Sequence, residues 1–490
     1  MPARLEAMRL GGRVVSLKEI AVSRTDARHK SLLSFAIRVA LVVIVVVGAV
    51  YWLLLSDLQR ALKQRLERLY GMGVPKTWAD VAPPEIPDRE NAAVLYVEGF
   101  DQLDVSSGPA GMDLRNFLSD KPPGSRQKLR PNIEALLARN RAALDLIKRA
   151  GARPRCRLPV DWSGPPYAVF FPQFIQARES ARLLAAEAII AAENGDAEQA
   201  VESTRAGLRM SRHIASEPML IPFLVAVAIE AVTLKNLSEV LQQVQLTPSQ
   251  CGVLYDELER LDWPRYFHHA TATEGCEALW FFETVERSPC EGWDLVANSM
   301  EMPGGAAARP LIGLYLSPVG KLVRLDEQVV YCDRLERALN LMRKPFPEGP
   351  AACKAAVARG EDLPRYWLMS RVIVDPSRVA VSCYRAIAYR NAMQVALALK
   401  AYSARRGAYP DALSTLREYP GGASAAPEMR RSPIQGWKLP LDPFSGKPFV
   451  YHRKGKGFVL YSFGEDLDDD GGRPFARPGL DGDWVWEFEK

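Results

Sequence analysis

Hydrophobic positions are spread unevenly along the chain, and their pattern sets its organisation. Val39–Leu55 is an unbroken apolar run, VALVVIVVVGAVYWLLL, without a charge. At ~1.5 Å per residue it covers ~26 Å as a helix, close to the ~30 Å hydrocarbon core of a bilayer. Leu32, Leu33, Phe35, Ala36 and Ile37 extend it toward the N-terminus, past Arg38, which can snorkel to headgroups. Tyr51 and Trp52 suit the far interface. The run predicts one membrane anchor, with the membrane contacted through Val39–Leu55. A cleaved signal peptide would share the basic leader, but no small-x-small site follows. The chain continues as Ser56-Asp57-Leu58-Gln59-Arg60 into a helix ending near Tyr70.

Prolines 83, 84, 87, 109, 122, 123 and 131 punctuate the next stretch. They predict an irregular linker with a short ordered piece around Ala92–Phe100. Helical spacing then takes over. Ile133, Leu136, Leu137 and Leu144 mark residues 132–150, and the strongest block runs from Phe174 to Leu261. Within it Asn194-Gly195-Asp196 divides two helices of a hairpin that loosely resembles a tetratricopeptide unit, without a sustained repeat. Met219–Ile229, uncharged and containing Pro222, is too short to cross a bilayer and reads as a core helix. Thr247-Pro248-Ser249-Gln250 opens another helix through a capping box. Helices are also expected at 271–287 and 321–343, with loops at 302–310 and 344–350.

The pattern changes near Pro376. Ser377–Arg406 reads as one long helix, apolar at Cys383, Ala386, Ile387, Met393 and Leu397, with Arg390 as the exception. Gly407 ends it, Pro410 prevents its resumption, and 411–416 suggest a short second helix. Phe449–Arg453 and Phe458–Phe463 flank Lys454-Gly455-Lys456-Gly457 as a hairpin, and Asp483–Phe488 supplies a third strand. A long helix on a small antiparallel β-sheet is an α+β arrangement.

Composition and charge refine this picture. The 490 residues are 48% hydrophobic and 25% charged, which excludes a disordered chain, a collagen-like fibre and a multi-span transporter. A net charge of +5 is too weak to suggest nucleic acid, and none is expected as a partner. The ends differ: residues 1–38 hold eight basic and three acidic residues, residues 464–490 nine acidic and three basic. Basic residues flank both sides of the anchor, but Arg4, Arg9, Arg13 and Lys18 tip the balance to an N-terminus inside. The expected location is the inner (cytoplasmic) membrane, single-pass, with the body in the periplasm. Seven cysteines carry no Cys-x-x-Cys and read mostly as small buried hydrophobes, although Cys276 and Cys290 could pair outside the cytoplasm.

Chemical motifs are sparse. There is no His-Glu-x-x-His, no phosphate loop and no Gly-x-Ser-x-Gly elbow. His268 and His269 are adjacent on a helix, about 100° apart, and form a poor bidentate pair. A pocket gathering them with Glu274 and Glu277 would favour an anchored hydrolase. The sharpest feature is Asp466-Leu467-Asp468-Asp469-Asp470-Gly471, with acids at positions one, three and five before a glycine. Hard oxygens in such a turn suit calcium, with Asp442, Asp481 or Asp483 completing the shell. Position twelve is Arg477, so this is not a full EF-hand.

An ordered series of motifs carries a family resemblance. Ala401-Tyr402, Gly407-Ala408-Tyr409-Pro410-Asp411-Ala412-Leu413, Leu439-Pro440-Leu441-Asp442-Pro443-Phe444-Ser445-Gly446-Lys447-Pro448 and Tyr461-Ser462-Phe463-Gly464-Glu465-Asp466 follow one another. Together they resemble the periplasmic domain of the major pseudopilin of type II secretion, over about 376–490. The resemblance also places calcium in the acidic loop, and the metal-site residues expected there are Asp466, Asp468, Asp470 and Asp442. Pseudopilins carry their apolar stem directly before this domain, whereas here Arg371, Asp375, Arg378, Arg385 and Arg390 occupy that region. The whole layout resembles bacterial membrane proteins with one anchor, a helical middle and a pseudopilin-like tail.

The expected domains are a basic cytoplasmic leader (1–31), a transmembrane anchor (32–55), a juxtamembrane helix with a proline-rich linker (56–131), an α-helical domain (132–360) and a pseudopilin-like α+β domain (361–490). The leading functional expectation is a non-enzymatic, membrane-anchored envelope protein that binds protein partners. The alternatives are an anchored extracytoplasmic hydrolase and a component of a type II secretion-like assembly.

Overall fold

The computed structural model describes residues 9–10, 13–14, 17–104, 108–119, 123–288, 291, 309–344, 348–349, 351–352, 355, 376–417, 439–475 and 482–489. Near its start, Arg9–Leu10 (β1) and Arg13–Val14 (β2) form a short antiparallel ladder. Leu17–Gly71 is then one continuous helix, α1, of 55 residues. From Leu33 onward it is long and apolar enough to cross a membrane, and every side chain from Leu33 to Val50 is exposed. Beyond the apolar run α1 turns amphipathic. Leu62 and Leu66 pack on the body, and Leu69 is fully buried.

The proline-rich stretch carries more helix than its punctuation predicts. Ala92–Asp101 (α2), Pro109–Phe117 (α3) and Pro123–Arg139 (α4) all form, and Trp78, Tyr96, Leu114 and Phe117 join the core. Two of these prolines stand near helix starts, where a missing N–H costs nothing. Asn91 caps α2 by accepting from the Ala93 N–H. The loops expected at 302–310 and 344–350 fall mostly outside the described residues.

The helical body continues with Arg141–Gly151 (α5), Phe174–Glu193 (α6), Ala197–Ala215 (α7), Leu220–Gln243 (α8), Pro248–Glu259 (α9) and Trp263–Arg287 (α10). Gly195 adopts φ 80° in the α6–α7 turn, the left-handed conformation its position requires. Asp196 then caps α7 by accepting from the Gln199 N–H at 3.0 Å. Thr247 and Gln250 form the expected capping box of α9. Helix α8 passes the length and hydropathy test for a span, but more than half of its apolar window is buried, so it is a core helix. Arg309–Leu316 (α11) and Lys321–Leu341 (α12) complete the body, and α12 lies along α1.

The tail consists of Pro376–Arg406 (α13), the short Ser414–Arg417 (α14), and strands Val450–Lys454 (β3), Gly457–Ser462 (β4) and Trp484–Phe488 (β5). The sheet is antiparallel in order β3-β4-β5, with Leu460 opposite both Tyr451 and Trp486. The fold is α+β, mostly helical with this one three-stranded sheet in the tail. Helix α13 is enclosed by α8, α9, α10 and α12, and Ala380, Cys383, Ala388, Ala392, Met393 and Leu397 are buried on several of its faces. One contiguous core therefore runs from Leu69 through the body to Phe488. Cys156, Cys251, Cys276, Cys332 and Cys383 are all buried, while Cys290 lies outside the described residues.

Candidate metal centre

The acidic loop follows β4 and is held in place from two sides. Arg385 on α13 makes a bidentate ion pair with Glu465, at 2.5 and 2.8 Å, which fixes the start of the loop. Tyr389, one turn further on, meets Trp484 and Trp486 of β5 edge-on, each at 5.2 Å. The charged residues of α13 thus do positional work for the loop that an apolar stem could not.

Within the loop, carboxylates fold back on the backbone. Asp466 accepts from the N–H groups of Asp468 (3.2 Å) and Gly482 (3.1 Å), closing the loop against the segment before β5. Asp469 accepts from Gly471 N–H at 3.0 Å and from the Tyr461 hydroxyl at 3.3 Å. Leu467 adopts φ 65° and is the one non-glycine residue with positive φ among those described. Such a residue marks local strain of the kind found at ligand-holding turns.

Two oxygens in this loop are left over. Asp470 Oδ2 and Asp483 Oδ1 are both buried without a hydrogen-bond partner. Asp483 is completely buried, and its other oxygen accepts from the Gly472 N–H at 2.7 Å. Burial, and then the nearby charges of Asp469 and Asp470, raise its carboxyl above the usual range. A buried, unpartnered carboxylate oxygen is costly, and a bound cation is one way of relieving the cost. The donor set, hard oxygens only, fits calcium.

The four expected metal-site residues are not equivalent. Asp466, Asp468 and Asp470 share the loop. Asp442 is buried in the turn before β3 and uses both oxygens on its own surroundings. It accepts from the N–H groups of Phe444 (3.1 Å) and Ser445 (3.2 Å) and from the Ser462 hydroxyl (2.7 Å), tying the Leu441–Ser445 turn to the end of β4. Asp483, one of the acids expected to complete the shell, is the one drawn to the loop. Among the described residues, no three carboxylate, thiol or imidazole groups form a finished metal cage, and Asp481 lies outside them.

The residues considered for a hydrolytic site stand apart from this loop, on α10. His268 Nε2 lies 2.9 Å from the Met72 carbonyl oxygen, and His269 is depressed by burial and by Arg265. Burial and the charge of Glu277 push Glu274 up to about 8, and burial pushes Glu277 up to about 7. Two cavities, of about 670 Å³ beside the β3–β4 turn and about 710 Å³ between α1, α10 and α12, are lined by none of these four. His213, read as structural, is buried with its Nδ1 3.1 Å from the Tyr96 hydroxyl.

Sequence reasoning missed a charged knot in the body. Glu257 on α9 is buried and receives Arg209 at 2.7 Å and Arg212 at 2.9 Å from α7. Burial would raise its carboxyl, but the charges and hydrogen bonds of the two arginines outweigh this and hold it below the ordinary range. The signal was present as Arg205, Arg209 and Arg212, which share one face of α7 at helical spacing.

Comparison with known proteins bears on the tail. Residues 383–476 match the family model of type II secretion system (T2SS), protein G. The tail is a pseudopilin-like domain. The match begins within α13 and covers β3, β4 and the acidic loop, and it ends before Asp483 and β5. No curated protein and no solved structure matches the chain.

Proposed function

We propose that this chain is a membrane-anchored envelope protein that serves a type II secretion-like assembly as a non-enzymatic, partner-binding component. Its pseudopilin-like domain is the observation that carries the reading. The apolar helix supplies the anchor, with the N-terminus inside, the inner membrane as its site and the body in the periplasm. Protein partners would dock on the helical body, which shares α13 with the tail. Calcium would be held by Asp466, Asp468 and Asp470 together with Asp483, and Asp442 would position the adjoining strand end. The ion would neutralise the clustered carboxylates and clamp the loop against β5. Its role is stabilisation, since metal binding energy adds to folding energy wherever the unfolded chain lacks the site.

Calorimetric calcium titration of the full chain in nanodiscs tests this. Saturable binding is expected, in the range of about 10⁻⁴ to 10⁻³ M common to extracellular modules. Calcium at a hundredfold excess over its Kd should then stabilise the protein by about 2.7 kcal/mol. Both effects should vanish in Asp468→Ala/Asp470→Ala. A wild-type protein with no binding heat and no thermal upshift would reduce the acidic loop to a solvated turn.

A further inference from the structure

Among the described residues nothing covers one apolar corner of the body, which lies beside the span. Residues 310–320, PLIGLYLSPVG, contain no charge. They form nearly all of α11 and the turn into α12, and Leu314 and Val319 are 58% and 68% exposed there. Position relative to α1 identifies what covers them. The Tyr51 hydroxyl donates to the Pro318 carbonyl at 2.7 Å. Further along, Arg65 pairs with Asp333 at 2.8 Å and Arg68 with Glu336 at 3.3 Å. The partners advance together, so α12 runs parallel to α1 in a nearly constant register. In that register the turn before Lys321 lies level with the last apolar turn of the span. Apolar residues on α1 continue to Leu55, about 6 Å beyond Tyr51 along the axis. The corner is thus level with side chains that belong in lipid.

Its polar groups are arranged to match. The Tyr315 hydroxyl turns inward to Glu327 at 2.6 Å. Arg324 is buried, donates to the carbonyls of Tyr315 and Ser317, and pairs with Glu286 at 2.6 Å. Ser317 donates to the Leu314 carbonyl and accepts from the Gly320 N–H. The carbonyls of Leu314, Tyr315 and Ser317 and the Gly320 N–H are therefore satisfied from within, as a water-poor layer demands. Lys321, paired with Glu286 at 3.2 Å, follows the charge-free run where a headgroup-facing cation would stand.

We propose that this corner, residues 310–320, is seated in the headgroup–acyl boundary of the leaflet from which α1 emerges. The body then touches the bilayer at two points and is held at a fixed tilt. A free body swinging on a flexible stalk is ruled out by this seating. Apolar burial at the interface supplies the attraction.

The full chain in nanodiscs tests the proposal, with nitroxide labels at Leu314→Cys and Val319→Cys. A label at Leu54→Cys gives the lipid reference, one at Lys456→Cys in the β3–β4 turn gives the aqueous reference, and the unsubstituted protein gives the background from native thiols. Labels at 314 and 319 should collide with oxygen more than with a water-soluble nickel complex, as at 54. Water-like accessibility at both, as at 456, would overturn the seating and leave the corner as a protein-docking face. Water-like accessibility at 54 as well would overturn the anchor itself, and the seating with it. A second measurement needs no substitution. In the wild-type protein, a phospholipid carrying a diazirine on its acyl chain should label peptides from 310–320 along with those from the span. Labelling confined to the span would reject the proposal.

Discussion

At the scale of single residues, the most informative group is Asp483. It is completely buried, one of its oxygens has no partner, and its carboxyl is raised by burial and by Asp469 and Asp470. A carboxylate so placed is a burden without a cation and a ligand with one. Asp483→Asn separates the two states. Without calcium, removing the charge should raise the thermal midpoint, because the desolvation and like-charge costs disappear. With calcium, the variant should lose most of the upshift seen in the wild type, so the order of stability inverts. Thermal melts of both proteins in chelator and in excess calcium read this crossing. A variant that is less stable under both conditions would mean that Asp483 acts through the Gly472 hydrogen bond alone. Asp442 should behave differently. Its two oxygens serve three donors, so Asp442→Asn should destabilise the tail regardless of calcium.

At the scale of elements, the helices are joined by buried charge as well as by apolar packing. Glu257 ties α9 to α7 through Arg209 and Arg212. Glu257→Ala leaves those arginines facing a site with no anion and should cost about 3 kcal/mol, whereas Glu257→Gln retains shape and some hydrogen bonds and should cost less. Denaturant melts rank the two. Equal effects would show that packing, not charge, holds the joint. The long apolar helix, the α6–α7 turn, the capping box of α9 and the three strands were legible because each rests on local rules: hydropathy, Asn-Gly-Asp, Thr-Pro-Ser-Gln, Lys-Gly-Lys-Gly. Helix α2 showed only as a short ordered piece and α3 was hidden, because their stability is tertiary. Tyr96 and Phe117 are buried by residues far along the chain, and that burial outweighs proline punctuation. The acidic loop was visible as composition, but its two unpartnered oxygens depend on where β5 returns, which no local pattern records.

At the scale of the whole molecule, tail and body share one core, and α13 is the reason. Sequence spacing marked Arg390 as the flaw in an otherwise apolar helix. In the fold it is largely enclosed, donates to the Leu261 carbonyl, and faces the Glu230 carboxyl on α8. Only the fold supplies that partner, which is why the spacing could not explain the arginine. Glu230 belongs to a wider set. Burial pushes Glu230 and Glu274 up to about 8 and Glu217 and Glu277 up to about 7. Carboxyls in the unfolded chain lose their protons near 4.5, so between that value and 8 the folded protein holds more protons than the unfolded one. Stability must therefore fall as pH rises through this interval. His213, depressed to about 3 by burial and then by Arg212, has the opposite effect, but only below the ordinary histidine value of 6.5. Lys400, lowered to about 8 by burial, acts in the same opposing sense only above that pH. From pH 6.5 to 8 each of these two opponents is at most half effective, and the four carboxyls outweigh them. Each contributes up to about 1.4 kcal/mol per pH unit while it is protonated only in the fold. The thermal midpoint of the full chain in nanodiscs should thus decline from pH 6.5 to 8. Glu274→Gln should make that decline shallower and leave the variant more stable than the wild type at pH 8. A midpoint that holds level or rises over this interval would mean that the buried carboxyls are ionised in the fold, with cations reaching them through the body.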